Sequence, residues 1–598
     1  MIKKKGRLWK IFLGILILAM LLAVPKFLNA YYMHIIILII FYAFAASGWN
    51  IFGGYVGQFF FAHVVFIAIG AYTSTLLYNV LKISPWIGML AGGGLAVLLA
   101  GLLGILMFRA NLSGTYFALG TLALLEITRS LALTSKTLGG ARGLYILAKG
   151  NSLINMCFKN KAGYYYIILA LLLGVLWVVK RVQKSRVGAY FIAIRENEEA
   201  ARAIGIDTMR YKMTALCLSA FISAVAGTFY AQYITYFDPY TIITFEMAVQ
   251  IISTAIIGGT GTVMGPVLGA AVIIPLGESI RGYLGQSVAG IHLVIYGLCL
   301  MLTILFLPNG LAGFCEDIKK KVQKKLYAGN VVQACATLEN EEKPVPNLLQ
   351  KYRGEQEGTM LLDVKNINKS FAGLIAIDDV SFQVKKGEIL GIMGPNGAGK
   401  TTIFSMLTGF LTPTHGRIRY KGNDITKKPP HLICEMGLAR TFQVVQPFPG
   451  LNVIETATIA AYKNTKDTKQ AREIAKHTLK MVGMESKELI ETKKLNLPDL
   501  KRLEVAKALC TGAEVILLDE VMAGLTEVEV QEMVAVIKEL REEGYTFVII
   551  EHVMSAMMSL VDRLIVIDYG RMIAEGRPEE VVKNKEVITA YLGGDEAC

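Results

Sequence analysis

The first 312 residues alternate long apolar runs with short polar ones, and the rest of the chain does not. A helix needs about 20 consecutive apolar residues to cross a bilayer. Ten runs approach that length: 9–29, 31–52, 59–79, 86–107, 115–133, 164–180, 213–234, 247–263, 265–281 and 289–308. An even count returns the chain to its starting side just before Lys319, Lys320, Lys321, Lys324 and Lys325. Glycine-rich GGYVGQ and GGTGTVMGP interrupt the pattern around 59–79 and 247–281. A broken backbone is tolerated at membrane depth only where it lines a cavity or packs on protein, so these breaks are the candidates for a translocation path.

From about 313 to 358 the chain is charged and then Pro- and polar-rich (ENEEKPVPN), a composition that suits a tether. Beyond it, short apolar strands such as EILGIM, VILLDE and TFVIIEH alternate with helical stretches. The pattern therefore predicts a polytopic α-helical membrane domain of about ten helices over 1–312. A linker over 313–358 and an α/β domain over 359–598, which GPNGAGKT between a strand and a helix marks as a P-loop NTPase, complete it.

Composition agrees. At 598 residues the chain exceeds a single core, and 54% apolar residues with a mean hydropathy of +0.48 exclude a wholly soluble protein. Residues 1–312 hold 23 Lys+Arg against 8 Asp+Glu, a net of +15; the remainder nets −1, in keeping with the total of +14. The basic excess sits between apolar runs, which argues against nucleic acid and for positive loops facing a cytoplasm. The N-terminus and the NTPase domain are accordingly expected on the cytoplasmic side of a bacterial membrane. Loop 180–212 carries eight Lys/Arg on that side, and 134–163 carries five on the other. Lys3, Lys4, Lys5 and Arg7 ahead of an apolar run read as the flank of an uncleaved first span. The eight cysteines show no metal or disulfide spacing.

Few polar residues interrupt the apolar half. Glu126 and Arg129, three apart, can meet on one helix face, either polarising a pore or forming a structural ion pair that locks two helices. His63 in FFFAHVVF reads equally as a packing residue or a ligand contact. AIRENEEAARAIGIDTMRYK, 193–212, is too polar to cross a membrane and suits a short docking helix.

In the second half, GPNGAGKT follows a strand and opens a helix, the context a phosphate-binding loop requires. Gly394, Pro395, Asn396, Gly397, Ala398 and Gly399 form the turn, whose backbone N–H groups can wrap phosphates. Lys400 then reaches the β/γ-phosphates of ATP, Thr401 ligands Mg2+, and Thr402 continues the helix whose N-terminus adds positive potential. Asp519 ends an apolar strand and is placed to hold Mg2+, with Glu520 beside it to polarise the attacking water. Gln443 can reach both Mg2+ and that water, His552 at a strand exit can contact the γ-phosphate, and Phe371 upstream can stack on adenine.

Taken together, GGYVGQ, LSGTYFALGTLALLEITR, IAIREN…AARAIGI and AIIGGTGTVMGPVLGA resemble the permeases of branched-chain amino acid ABC importers. Residues 360–598, with LTGF, GLARTFQ, IEHVM, DYGRMIAEG and AYLGG, resemble the ATPases of the same system. The resemblance implies that Glu199, Ala200, Ala201 and Gly205 form the loop that docks on an ATPase. It also implies a second permease, a second ABC ATPase and an extracytoplasmic binding protein as partners. The expected activity is ATP-driven import of branched-chain amino acids or a related small amino acid, amide or urea. An ABC exporter half and a nucleotide-gated channel or regulatory membrane protein are the alternatives.

One segment departs from that family. Its ATPases carry a signature close to LSxGQ at the start of the helix preceding VILLDE. Aligned on Arg502-Leu503-Glu504, this chain has LNLPD instead, so that Asn496, Leu497, Pro498 and Asp499 occupy the signature. Proline removes one N–H donor, and Asp499 brings a negative charge towards a phosphate site. The expectation is an altered signature at which a helix still begins.

Overall fold

The computed structural model describes residues 16, 19–110, 114–147, 152–284, 291–307, 310–316, 318 and 358–592. The chain divides into two compact units, one comprising Met1–Arg195 with Met209–Leu338, the other Glu196–Thr208 with Glu339–Cys598.

The first unit is helical. Among the described residues seven helices are long and apolar enough to cross a membrane: Ala30–Tyr55, His63–Leu81, Pro85–Arg109, Gly114–Thr134, Lys161–Gln183, Thr208–Ile234 and Pro239–Gly258. The expected count of about ten is thus approximate. Run 9–29 lies partly outside the described residues, its described part being helical over 19–27, and the last two runs correspond to helices Gly265–Leu284, which contains Pro275, and Ile291–Phe306. Small residues let these helices approach closely. A Cβ on Gly227 would come within 1.8 Å of the Ile67 carbonyl oxygen, and one on Gly70 within 1.9 Å of that of Ala224. The Thr228 hydroxyl donates to the Gly70 carbonyl (3.1 Å) between the same two helices.

The two glycine-rich breaks meet. GGYVGQ does not interrupt the run 59–79 as expected; it ends the preceding helix in a π-helical turn, Ile51–Tyr55, and the next helix begins at His63. Asn50 accepts from the Gly261 N–H (2.9 Å) and donates to the Thr262 carbonyl (2.9 Å), so one amide side chain pins the second break against the first. Arg195 donates to the Gly54 carbonyl (3.2 Å). Here the broken backbone packs on protein, which satisfies groups that lipid could not.

The second unit is α/β. After the two short strands β1 (Leu144–Tyr145) and β2 (Tyr236–Phe237) of the first unit, this unit pairs β3 (Met360–Phe371), β4 (Leu374–Lys385), β6 (His415–Tyr420) and β7 (Asn423–Asp424) in a four-stranded sheet of order β4-β3-β6-β7. The remaining six strands form a second sheet. In the second, β5 (Ile389–Met393), β8 (Leu438–Arg440), β9 (Val515–Asp519), β10 (Thr546–Ile550) and β11 (Arg563–Asp568) are parallel, and β12 (Arg571–Gly576) is an antiparallel edge, in the order β12-β11-β5-β10-β9-β8. Strands β5, β9 and β10 are buried at every residue, as covered parallel strands must be. Because β10 lies between β5 and β9, the carboxyl ends of all three converge, the position at which parallel α/β sheets bind ligands.

Candidate functional site

The loop after β5 depends on glycine where its backbone turns. Gly399 has φ +101°, and a Cβ there would come within 2.4 Å of Ile377; one on Gly394 would come within 2.0 Å of the Ile567 carbonyl oxygen. Helix Lys400–Leu407 follows, with Thr401 exposed at its first turn and Lys400 buried. The Lys400 ammonium donates back to the carbonyls of Gly394 (2.7 Å) and Pro395 (2.9 Å). Burial lowers its pKa, against the opposing pull of Glu520 and Asp519. A desolvated cation inside a ring of backbone dipoles is a ready anion receptor.

Asp519 closes β9 fully buried, and burial raises its pKa to about 6 despite Arg440 nearby. Its Oδ2 accepts from Arg440 (3.3 Å), while Oδ1 is buried without a hydrogen-bond partner. That orphaned oxygen, with the Thr401 hydroxyl and the Gln443 amide, makes an all-oxygen donor set that fits a hard cation such as Mg2+.

Three expected residues come together around Glu520. Its Oε2 accepts from the Gln443 amide (3.0 Å), and its Oε1 lies 3.0 Å from His552 Nε2. Glu520 sits at φ +50°, a left-handed conformation that is costly for a residue bearing a Cβ. Its neighbours hold it there. The Glu520 N–H donates to Ile550 (2.9 Å), and its carbonyl accepts from Lys501 (2.7 Å), which also bonds the Gln443 carbonyl (3.1 Å). Two residues on, the Met522 N–H donates to buried Glu551 (2.6 Å). Phe371 is placed differently, at the end of β3 (Met360–Phe371), half exposed with the Lys369 ammonium 5.0 Å from its ring centre.

A helix does begin at the variant segment, spanning Leu497–Cys510 with Asn496 as its N-cap. The Asn496 side chain accepts from the Asp499 N–H (3.2 Å), and Pro498 falls at the second helical position rather than the first. The negative charge expected near the phosphate site is paired. Asp499 is buried, and both its oxygens lie 2.6 Å from the Lys487 ammonium.

The docking segment is shorter than 193–212. Helix Arg186–Glu196 ends before it, and Glu198–Ala203 forms a separate helix capped by Asn197. Ala200 and Ala201 are buried, Glu199 is exposed, and Gly205 (φ +88°) turns the chain beside Cys434. Asn197 donates to Gln446, and the Gly450 N–H donates to Glu196 (2.8 Å).

Sequence reasoning missed Arg440, Lys487, Lys501 and Glu551. Arg440 alone carried a signal, as the one charge in GLARTFQ, ending the strand ahead of Gln443; the other three depend on tertiary neighbours.

A parallel sheet that gathers a phosphate loop, a strand-end Asp-Glu pair, a glutamine and a histidine defines an ABC-type ATPase, here preceded by a polytopic helical unit. The family models are specific. Residues 31–305 match the permease component of the branched-chain amino acid transport system, 377–523 the ABC transporter, and 571–597 the branched-chain amino acid ATP-binding cassette transporter. The high-affinity branched-chain amino acid transport ATP-binding protein BraF of Pseudomonas aeruginosa is 36% identical over 249 residues, 39% of this chain and 98% of that protein. LivG of Escherichia coli is 35% identical over 249 residues, again 39% and 98%. A nucleotide-free ATP-binding cassette from an ABC transporter aligns with a TM-score of 0.37 at 30% identity, over 39% of this chain and all of that one. The chain belongs to the branched-chain amino acid ABC transporter family and joins a permease unit to an ATP-hydrolysing cassette in one membrane protein.

Proposed function

We propose that this chain is the fused permease–ATPase subunit of an importer that uses ATP to carry branched-chain amino acids, or a related small amino acid, amide or urea, across the bacterial cytoplasmic membrane. The observation that carries the reading is that permease and cassette independently match the same transport system. The proposed limits are 1–312 for the permease, 313–358 for the linker and 359–598 for the cassette. The N-terminus and cassette face the cytoplasm, as the basic loops suggest. A second permease, a second ATPase and an extracytoplasmic binding protein complete the transporter.

In this reading the backbone of Gly394, Pro395, Asn396, Gly397, Ala398 and Gly399 cradles the phosphates, with Lys400 reaching the β/γ-phosphates. Thr402 extends the helix behind them, and Phe371 stacks on adenine once Lys369 yields its face. Thr401 and Asp519 would hold Mg2+, with Gln443 alongside; the ion supplies charge neutralisation on the phosphates when bound. Glu520 orients the attacking water and accepts its proton, while His552 fixes the Glu520 carboxylate and meets the γ-phosphate. Gln443 links that carboxylate to the docking segment. Asn496, Leu497, Pro498 and Asp499 face the ATP of the opposite cassette.

Uptake of labelled leucine into proteoliposomes holding the assembled transporter and its binding protein tests the proposal, with unlabelled isoleucine, valine, an amide and urea as competitors. ATP-dependent uptake that Lys400→Ala and Glu520→Gln abolish is expected. Flux that persists in Glu520→Gln would instead identify a nucleotide-gated channel.

A further inference from the structure

Helix Gly114–Thr134 is the least buried of the seven long apolar helices. One face packs inside its own unit through Phe117, Thr121, Leu125 and Ala132. Among the described residues the opposite face is open along its length, from Tyr116 through Ala123 and Glu126 to Leu131. Near the middle of this face, Glu126 pairs with Arg129 at 2.5 Å, with side chains 51% and 34% exposed. The pair therefore does not lock two helices of this unit together; it is made within one helix and presented outward.

Two independent features argue against lipid on that face. A charge near mid-span is expensive in hydrocarbon even when paired, so such residues face protein or a water-filled cavity. The same face also carries small residues, Gly120, Ala123 and Ser130, and a Cβ on Gly120 would meet nothing closer than Met107 at 3.4 Å. Small residues on one helical stripe admit a second helix at close range, where van der Waals packing rather than hydrophobicity drives association. Lipid gains nothing from such a stripe and cannot solvate the ion pair.

We infer that the Gly120–Ala123–Glu126–Ser130 face of helix Gly114–Thr134 is the docking surface for a second permease subunit, whose facing helix supplies small residues and a polar partner to the Glu126–Arg129 pair. The inference rests on the importer reading, which requires such a subunit.

Ala123→Cys in the full-length chain, co-expressed with its transporter subunits after removal of native cysteines, tests it by oxidative cross-linking in membranes. An adduct with another permease subunit at Ala123, absent at lipid-facing Leu98→Cys, is expected. A collisional spin-label scan at 119, 123, 126 and 130 provides the second readout. Strong accessibility to oxygen at Ala123 would overturn the inference in favour of a lipid face. Free reaction of Ala123→Cys with a charged water-soluble thiol reagent, without an adduct, would overturn it in favour of an aqueous path. Replacing the pair by Glu126→Leu with Arg129→Leu should reduce co-purification of the second permease at least threefold; unchanged co-purification would count against the surface. None of these measurements uses transport, so a failed cross-link leaves the uptake result standing, and absent uptake leaves the interface standing.

Discussion

The two ATP sites of the proposed transporter should be unequal, because the variant signature offers few open donors to phosphate. A helix N-terminus binds a phosphate through the free N–H groups of its first turn. In Leu497–Cys510, Pro498 has no N–H and the Asp499 N–H is already bonded to Asn496, which leaves that of Leu497 as the one open donor among the first three positions. A lost hydrogen bond to a charged group costs about 1.5–3 kcal/mol, which slows a site by roughly ten- to a hundredfold. The charge on Asp499 adds little, because Lys487 neutralises it at 2.6 Å.

The site on this chain's phosphate loop takes its signature from the partner and escapes this penalty. Glu520→Gln should therefore nearly stop steady-state ATP hydrolysis, whereas the equivalent carboxylate change in a partner with an intact signature should leave most of it. Phosphate release from the purified transporter reports both. Equal losses would mean that the sites are obligatorily coupled or that the variant signature works. Restoring the signature with Asn496→Ser, Leu497→Gly, Pro498→Gly and Asp499→Gln separates these outcomes. A rise in turnover is expected at the slow site, and no rise would refute the donor-counting argument.

Glu199→Arg with Gly205→Asp should uncouple the docking segment, since a side chain at Gly205 meets Cys434 at 3.2 Å in a left-handed conformation. Binding-protein-stimulated ATPase and uptake should both fall at least tenfold while insertion is normal, a loss of about 1.4 kcal/mol or more of coupling. Burial raises the Glu551 carboxyl to about 7, above its ordinary value of 4.5, so the native state binds the extra proton between those values. Stability should therefore fall as pH rises through that window, by something on the order of 1–3 kcal/mol. Glu551→Gln should flatten the dependence of Tm on pH between about 5 and 7.

Legibility from sequence followed the range of the interaction. The phosphate loop, VILLDE and the helix start at the variant signature are local: a glycine turn, an apolar strand and a proline in the first helical turn. Each was readable, because its partners lie within one element. The Glu520–Gln443–His552 cluster needed three strands, and residue types with order supplied what spacing could not. Lys487 was not readable, because it reaches Asp499 across a turn whose path no periodicity encodes, and it neutralises the charge that was expected to oppose phosphate. The apolar half was legible as spans but not as faces. An outward ion pair and an inward one have the same spacing, and only burial of Thr121 and Leu125 fixes which way Glu126 points.

The docking segment shows why a short polar stretch can matter to both ATP sites. Asn197 caps its helix through the Ala200 N–H (2.9 Å) and donates its other amide group to Gln446. Gln446 is gripped by its backbone: its N–H donates to Glu504 (3.1 Å), and its carbonyl accepts from Lys507 (2.8 Å). Glu504 and Lys507 pair with each other at 2.6 Å with side chains 4% and 3% exposed, so the clamp is dry and stiff. Both belong to the helix that begins at the variant signature. That helix also holds Glu520 through Lys501. A displacement of Asn197 therefore reaches the signature helix through a single residue, and the same helix holds the backbone of Glu520 in this chain's own site. In the proposed transporter one helix would thus answer to the docking segment, to the opposite ATP through Asn496–Asp499, and to its own site through the Lys501–Glu520 bond. An altered signature can weaken the second of these connections while the other two stay intact.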